Sequence, residues 1–439
     1  MKISESELFF DSISEAGPAP TGVPIDGAIA IAFFLLAGFW SLVTPLHGAP
    51  DELNHFFLLE YLYAFGSLPR PQIDPVQPYI GILTGAKFDN TMVWYQGLPF
   101  AHVLGGLAFA KLFSPAFPDD GYLAARLFNW MLGGVFIFAL LRTLRWSGAK
   151  DIIAILIGVS VAAIPQVTFI FSYFNHDAFG LAAVALALYA FIRTVRVPAY
   201  KRNAIYFGIC CGLILLSKPY HWPALVFFGL MLLLVRSTKP SFPFGAIVLR
   251  ASLAAMLAAA PMLAWTYFEY GDVTGREMWR YFLTVYPDTR SATRGLCYVF
   301  CSPGFIHWSE LGNWLWSTFT SFFGRLGWLN LALPTAIYVL WFGPLALLFE
   351  TCSMIFVGRR LNVIRSPQSA AAIFDAAFVA LTSLMLLGTL VMSLLISQFA
   401  APQAQGRYLF VVIPFAAYCI ALFAKDAEAN ERPAAKSKT

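Results

Sequence analysis

Residues Pro45 to His55 read P-L-H-G-A-P-D-E-L-N-H, with two carboxylates (Asp51, Glu52) and two imidazoles (His47, His55) at the mouth of one loop. They follow the apolar stretch 27–46 directly, and that stretch is about the length that crosses a bilayer. A carboxylate beside a membrane surface is placed to take the proton of an acceptor hydroxyl attacking a lipid-linked donor, provided it lies within hydrogen-bond reach. Asp51 and His55 are four apart, so a helix opening at Pro50 puts them on one face. Two plainer uses stand beside this one. Asp is a favoured helix N-cap, and a helix follows. Alternatively, His47, Asp51 and His55 hold a metal, although the ligand set is sparse.

A second polar turn, Asn175, His176 and Asp177, separates two later apolar stretches. Asp177 suits a metal, a sugar hydroxyl or the capping of the helix after it. The cations worth weighing are Arg126, Lys218 and Arg407, with His102 and His221 behind them. A phosphate-bearing lipid donor needs cations recessed at head-group depth, Arg for bidentate contacts and Lys as a point charge. The competing role for each is a snorkelling anchor at a helix end. Lys218 resists it best. Residues 203–235 are too few for two full crossings and a turn at roughly 20 residues each, so the turn S-K-P-Y-H-W is recessed, which irregular backbone tolerates only against protein or a wet cavity.

The elements that must position these residues are membrane helices. The chain is 59% hydrophobic and 12% charged, against about 25% charge in soluble domains, and its mean hydropathy is +0.68. Long apolar runs between short charged or proline-rich segments indicate an all-α integral membrane fold and not a barrel. Residues 1–26 are polar and show no cleavage site, so the first run stays as a helix. The net charge of +5 serves membrane topology first and does not argue for nucleic acid. If 98–113 lies along the surface instead of crossing, every basic cluster falls on one side, as the positive-inside rule expects. That gives about ten crossings, with both termini cytoplasmic. The polytopic domain spans 27–424, between a tail over 1–26 and a disordered tail over 425–439. The loops 47–121 and 269–330, the turns 172–177 and 217–222, and the tip 400–408 then share the outer face. The long loop carries Trp308, Trp314, Trp316 and Trp328, which an interfacial belt explains, and 309–323 reads as a surface-lying helix. Cys297 and Cys301 have helical spacing, and a disulfide between them is left open.

The ordered set P-D-E-L-N-H at 50–55, A-R-L-F-N at 125–129, N-H-D at 175–177, S-K-P-Y at 217–220, F-G-R-L-G-W-L-N at 323–330 and Q-G-R-Y at 405–408 resembles an uncharacterised family of bacterial multispanning proteins grouped with the GT-C glycosyltransferases. The resemblance covers about 45–420. It implies a GT-C bundle in a bacterial inner membrane, with surface helices in the first outer loop. It also implies a polyprenyl-phosphate-linked sugar donor and inverting transfer to an envelope glycan, lipid or protein acceptor. On that basis Asp51 is the expected catalytic base with Glu52 beside it. His55, Asn175, Asp177, Lys218, Tyr220, Arg126 and Arg407 are expected to hold substrate. A divalent cation such as Mg or Mn, if used, would fall to Asp51 and Asp177. Asn330 stands where the family pattern expects Asp, so it is given no acid role. The competing function is a transporter or flippase for an envelope lipid or polysaccharide, which also wants recessed cations and a broken helix pair. A non-catalytic scaffold is the third.

Overall fold

The computed structural model describes residues 22–69, 78–89, 100–198, 201–273, 300–302, 305–364, 370–399 and 404–431. The chain opens with α1 (Val23–Val43), then α2 (Glu52–Phe65), a small hairpin of β1 (Tyr79–Ile80) and β2 (Lys87–Phe88), and α3 (Phe100–Phe113). Next come α4 (Tyr122–Arg145), α5 (Asp151–Ala162), α6 (Pro165–Ile170), α7 (His176–Arg196), α8 (Lys201–Leu215), α9 (Pro223–Thr238) and α10 (Phe244–Tyr270). The hairpin of β3 (Phe300–Ser302) and β4 (Phe305–Ile306) precedes α11 (Trp308–Phe323) and the hairpin of β5 (Arg325–Leu326) and β6 (Leu331–Ala332). A π-helical turn, Tyr338–Phe342, leads into α12 (Gly343–Ile364), followed by α13 (Ala370–Phe399) and α14 (Ile413–Glu431).

Eight helical stretches among the described residues are long and apolar enough to cross a membrane. Two of the crossings expected from the sequence are shorter, the broken pair α5–α6 and the 15-residue α8. Helix α3 has 14 residues, or about 21 Å at the α-helical rise, less than the ~30 Å hydrocarbon thickness. It packs on α4 and α2. The bundle's centre is α7, 78% buried over its most apolar window, whereas α10 and α12 are 22% and 11% buried. Their large apolar residues, Leu257 and Leu347 among them, point outward, as lipid-facing helices require. Where α8 meets α10 the approach is closer than side chains allow. Gly208 and Gly212 lie against Ala251 and Ala255, and a Cβ on Gly212 would stand 2.7 Å from the Ala255 carbonyl oxygen. This is small-residue helix packing of the G-x-x-x-G kind.

Helices α1 and α4 are held at both ends by buried ion pairs. At one end Asp26, fully buried, accepts from Arg145 Nη2 at 2.8 Å and lies 3.3 Å from Arg142 Nη1. At the other end Arg126 spends every donor. Its Nε and Nη2 bind the two oxygens of Glu52 at 2.7 Å each. The remaining N–H groups reach the carbonyls of Ser41, Thr44 and Pro45 at 2.7–3.1 Å, which satisfies backbone that the end of α1 leaves without helical partners.

Three sequence expectations shift. Helix α1 starts at Val23, inside the span read as a tail. Helix α14 runs to Glu431, past the boundary placed at 424. Trp314 is fully buried and donates to Ser397 Oγ at 3.0 Å, so it docks α11 onto α13 and does not serve an interfacial belt. Cys297, the side chain of Cys301 and residues 94–99 lie outside the described residues.

Candidate active site

Asp51 occupies the position before α2 with φ 62°, in the left-handed region. An N-cap needs extended dihedrals to turn its side chain onto the first helical amides. Asp51 makes no such bond, so the capping role is overturned. Its carboxylate turns the other way and accepts from Arg407 Nη2 at 2.8 Å. A left-handed non-glycine residue costs about 1–2 kcal/mol, least for Asp and Asn. The loop is wound tightly just upstream, where His47 also has positive φ (65°). Trp328, in the turn between β5 and β6, donates to the His47 carbonyl at 2.8 Å and sets its ring edge-on to the imidazole. The G-W-L-N segment is thus a clamp on the Asp51 loop.

Asp177 is likewise not the cap of its helix. Asn175 is: its side-chain oxygen accepts from the Ala178 amide at 2.9 Å, while its NH2 donates to Ile170 and Tyr173 carbonyls at 2.7 and 2.8 Å. Asp177, one position into α7, is released to face the S-K-P-Y turn. Lys218 Nζ lies 2.8 Å from its Oδ1, and Tyr220 donates to the same oxygen. Arg407 Nη1 lies 3.4 Å from its Oδ2. Arg407 therefore bridges the two acids, joining a loop near the start of the chain to a segment near its end.

Helix α11 places Arg407. Ser321 Oγ accepts from the Gly406 amide at 2.7 Å, and Ser317 Oγ donates to the Ala404 carbonyl at 3.2 Å. Gly406 lies against the Phe322 backbone, where a Cβ has no room. The Q-G-R-Y motif thus combines a glycine that permits contact with an arginine aimed by it. Tyr408 stacks edge-on with Tyr220 at 4.9 Å, and Tyr173 is buried beside Arg407. Sequence reasoning missed both tyrosines as site walls. The only signal was their adjacency to motif residues.

Asp51, Asp177, Lys218, Tyr220 and Arg407 come together. Arg126, Glu52 and Asn175 do not join them. Arg126 and Glu52 are fully buried in the α1–α2–α4 joint, with Glu52 Oε1 also accepting from the Phe174 amide at 3.0 Å. Asn175 is spent on backbone. The geometry gives these three a supporting place. His47 and Asp51 do not converge with His55 as ligands either. His55 stacks instead on His102 and His176, with centroids 5.2 and 4.6 Å away. His221 is fully buried one turn from Lys218.

The charges balance locally, with two carboxylates against two cations. A dication held by Asp51 and Asp177 would have to displace Arg407 from between them. Burial pulls the Lys218 ammonium below its usual range, against the opposing pull of Asp177. Exposure separates the acids. The Asp51 side chain is 18% exposed and that of Asp177 2%. Of the two, Asp51 is the one an incoming group can touch. Arg407 is buried between them, with Nη2 on Asp51 and Nη1 towards Asp177.

The chain belongs to a family of predicted membrane proteins, DUF2142, whose model matches residues 84–416. The match includes Asp177, Lys218 and Arg407 and begins after Asp51. No curated protein matches the sequence. Among solved structures the chain is similar to an oligosaccharyltransferase from Archaeoglobus fulgidus in the apo form (13% identity, TM-score 0.48, 98% of this chain and 52% of that one). Two others are ArnT from Cupriavidus metallidurans bound to undecaprenyl phosphate (14%, 0.41, 93% and 78%) and the S. cerevisiae protein O-mannosyltransferase Pmt1-Pmt2 complex bound to the sugar donor (16%, 0.39, 61% and 36%). The chain thus spans about half the length of the archaeal protein and about a third of the yeast one.

Proposed function

We propose that this DUF2142 membrane protein is a glycosyltransferase of the GT-C type that moves a sugar from a polyprenyl-phosphate carrier to an envelope acceptor at the extracytoplasmic face. The observation that carries the reading is the bridge: Arg407 joins a part-exposed acid, Asp51, to a buried one, Asp177, which also holds Lys218. The motif resemblance supports it independently.

In this mechanism the donor phosphate is held by the charges of Arg407 and Lys218. Asp177 and Tyr220 fix the lysine, so it is pre-set before the donor arrives. Asp51 accepts the proton of the acceptor hydroxyl as its oxygen attacks the anomeric carbon. The bond from that carbon to the phosphate oxygen breaks on the opposite side, and the electron pair leaves with the carrier phosphate. The product has inverted configuration. Glu52 and Arg126 hold the loop that presents Asp51, and Asn175 ends the turn that presents Asp177. Neither set needs to touch substrate.

Asp51→Asn tests this. Asn also tolerates the left-handed backbone, so the variant should insert and fold as wild type while transfer falls at least ~10²-fold, at the low end for loss of a general base. Lipid-linked sugars and envelope glycans would be compared in cells carrying wild type, the variant or a deletion. A variant that restores the wild-type glycan pattern would remove Asp51 from this role. Identical glycans and lipid-linked sugars in deletion and wild-type cells would remove the transferase reading.

A further inference from the structure

Beside the acids lies a cluster that the transfer mechanism does not use. His55 on α2, His102 on α3 and His176 at the start of α7 stack in a mutually inclined triangle, with ring centroids 4.6–5.2 Å apart and planes at 65–86°. One ring nitrogen from each lies within 4.8 Å of the other two. All three are buried, at 8%, 1% and 2% exposure. His55 Nε2 and both nitrogens of His176 have no hydrogen-bond partner. A buried polar atom left unsatisfied is costly, and one ring nitrogen from each histidine lies close enough to the other two for a single ion to sit among them.

We propose that His55, His102 and His176 form a transition-metal site of the three-imidazole kind, with zinc as the best-suited ion. Imidazole nitrogens suit zinc and its neighbours, whereas magnesium and manganese prefer oxygen. Three histidines with a fourth position open is an established zinc geometry, with Zn–N bonds of about 2.0–2.1 Å. Tetrahedral bonds of that length put the nitrogens about 3.3 Å apart, so the triangle closes by side-chain rotation when the ion enters. Phe174 packs on His102 at 5.1 Å and supplies the dry wall that such sites use. The ion would pin the two helices of the first loop to the central helix, 3.8 Å from His176 Nε2 to the Asp177 carboxylate. The proposal does not depend on what reaction the acids perform.

The test uses the full chain, purified in detergent through a tag without histidines and then equilibrated with one equivalent of Zn²⁺ and washed. Elemental analysis should give about one zinc per chain in wild type and less than a tenth of that in His176→Ala. Co²⁺ added to the chelator-treated protein should give the visible d–d bands of a four-coordinate, nitrogen-rich site. Zn²⁺ should raise the Tm of wild type by at least ~2 °C, reversibly with chelator. His102→Gln and His176→Gln, which keep a polar group of similar size, guard against a folding defect in the alanine variant. They should lose the zinc and its Tm effect. Equal trace metal in wild type and the glutamine variants, with no Tm response to Zn²⁺, would overturn the site and leave the cluster as packed neutral histidines.

Discussion

Arg407 makes the two acids one site. Its planar fork reaches Asp51 and Asp177 at once, which an ammonium cannot do with the same geometry. Arg407→Lys should therefore lower transfer by at least ~10-fold, the equivalent of about 1.4 kcal/mol, in an assay with purified lipid-linked donor. Lys218 should show itself through pH. Its pKa is lowered by burial, so it loses its proton earlier as pH rises than an ordinary lysine near ~10.4. Donor KM should climb on the alkaline side below that value. Lys218→Arg, which keeps its charge, should flatten the climb, and an unchanged alkaline limb would exclude Lys218 from donor binding. The residue types were legible in the sequence: Asp51, Asp177, Lys218, Tyr220 and Arg407 were all named from it, and all meet. The partition between working and supporting polar residues was not legible. Nothing in P-D-E says that the first acid faces out and the second is buried, because that turns on one backbone dihedral at Asp51.

Buried polar joints decide how the elements stand around the site. Glu52 and Arg126 tie α2, α4 and the end of α1, and breaking such a pair by removing one partner costs about 3–5 kcal/mol. Arg126→Ala should therefore lower thermal stability in detergent strongly, with activity lost in proportion to unfolding. A second substitution, Glu52→Leu, should recover only part of the loss, since the Ser41, Thr44 and Pro45 carbonyls stay unpaired. Full recovery in a double-mutant cycle would show that those carbonyls do not matter. Glu60 of α2 does a similar task for the first hairpin, accepting from the amides of Ile82, Leu83 and Thr84 at 2.8–2.9 Å. Sequence reading passed over Glu60, because its partners lie more than twenty residues away. Helix positions fared better, since hydrophobic run length marks them directly. Helix α11 was anticipated at 309–323, but not that its serines hold the Gly406 amide. Gly208→Leu should separate α8 from α10 and reduce folded yield, measurable by size-exclusion chromatography.

At the scale of the molecule, the end that carries α2, α3 and the start of α7 also carries the site, and the Asp26–Arg145 joint lies at the opposite end. The proposed function puts the site end outside, the orientation that the charge pattern leads one to expect. Cysteine introduced at the exposed Asp119, in a background without native cysteines, should react with a membrane-impermeant reagent on whole cells. One at the exposed Ser237 should not. The reverse pattern would invert the topology and with it the extracytoplasmic reading. Charge clusters are the source of this expected orientation, whereas the bridge from Arg407 to Asp51 was not legible, because it spans 356 positions. That span bears on how the protein is made. The residue that aims the two acids leaves the ribosome after nearly every helix has been threaded, so an incomplete chain carries Asp51 and Asp177 without the arginine between them. On the proposed reading, chains truncated before 407 transfer nothing, so a half-built copy is a silent one.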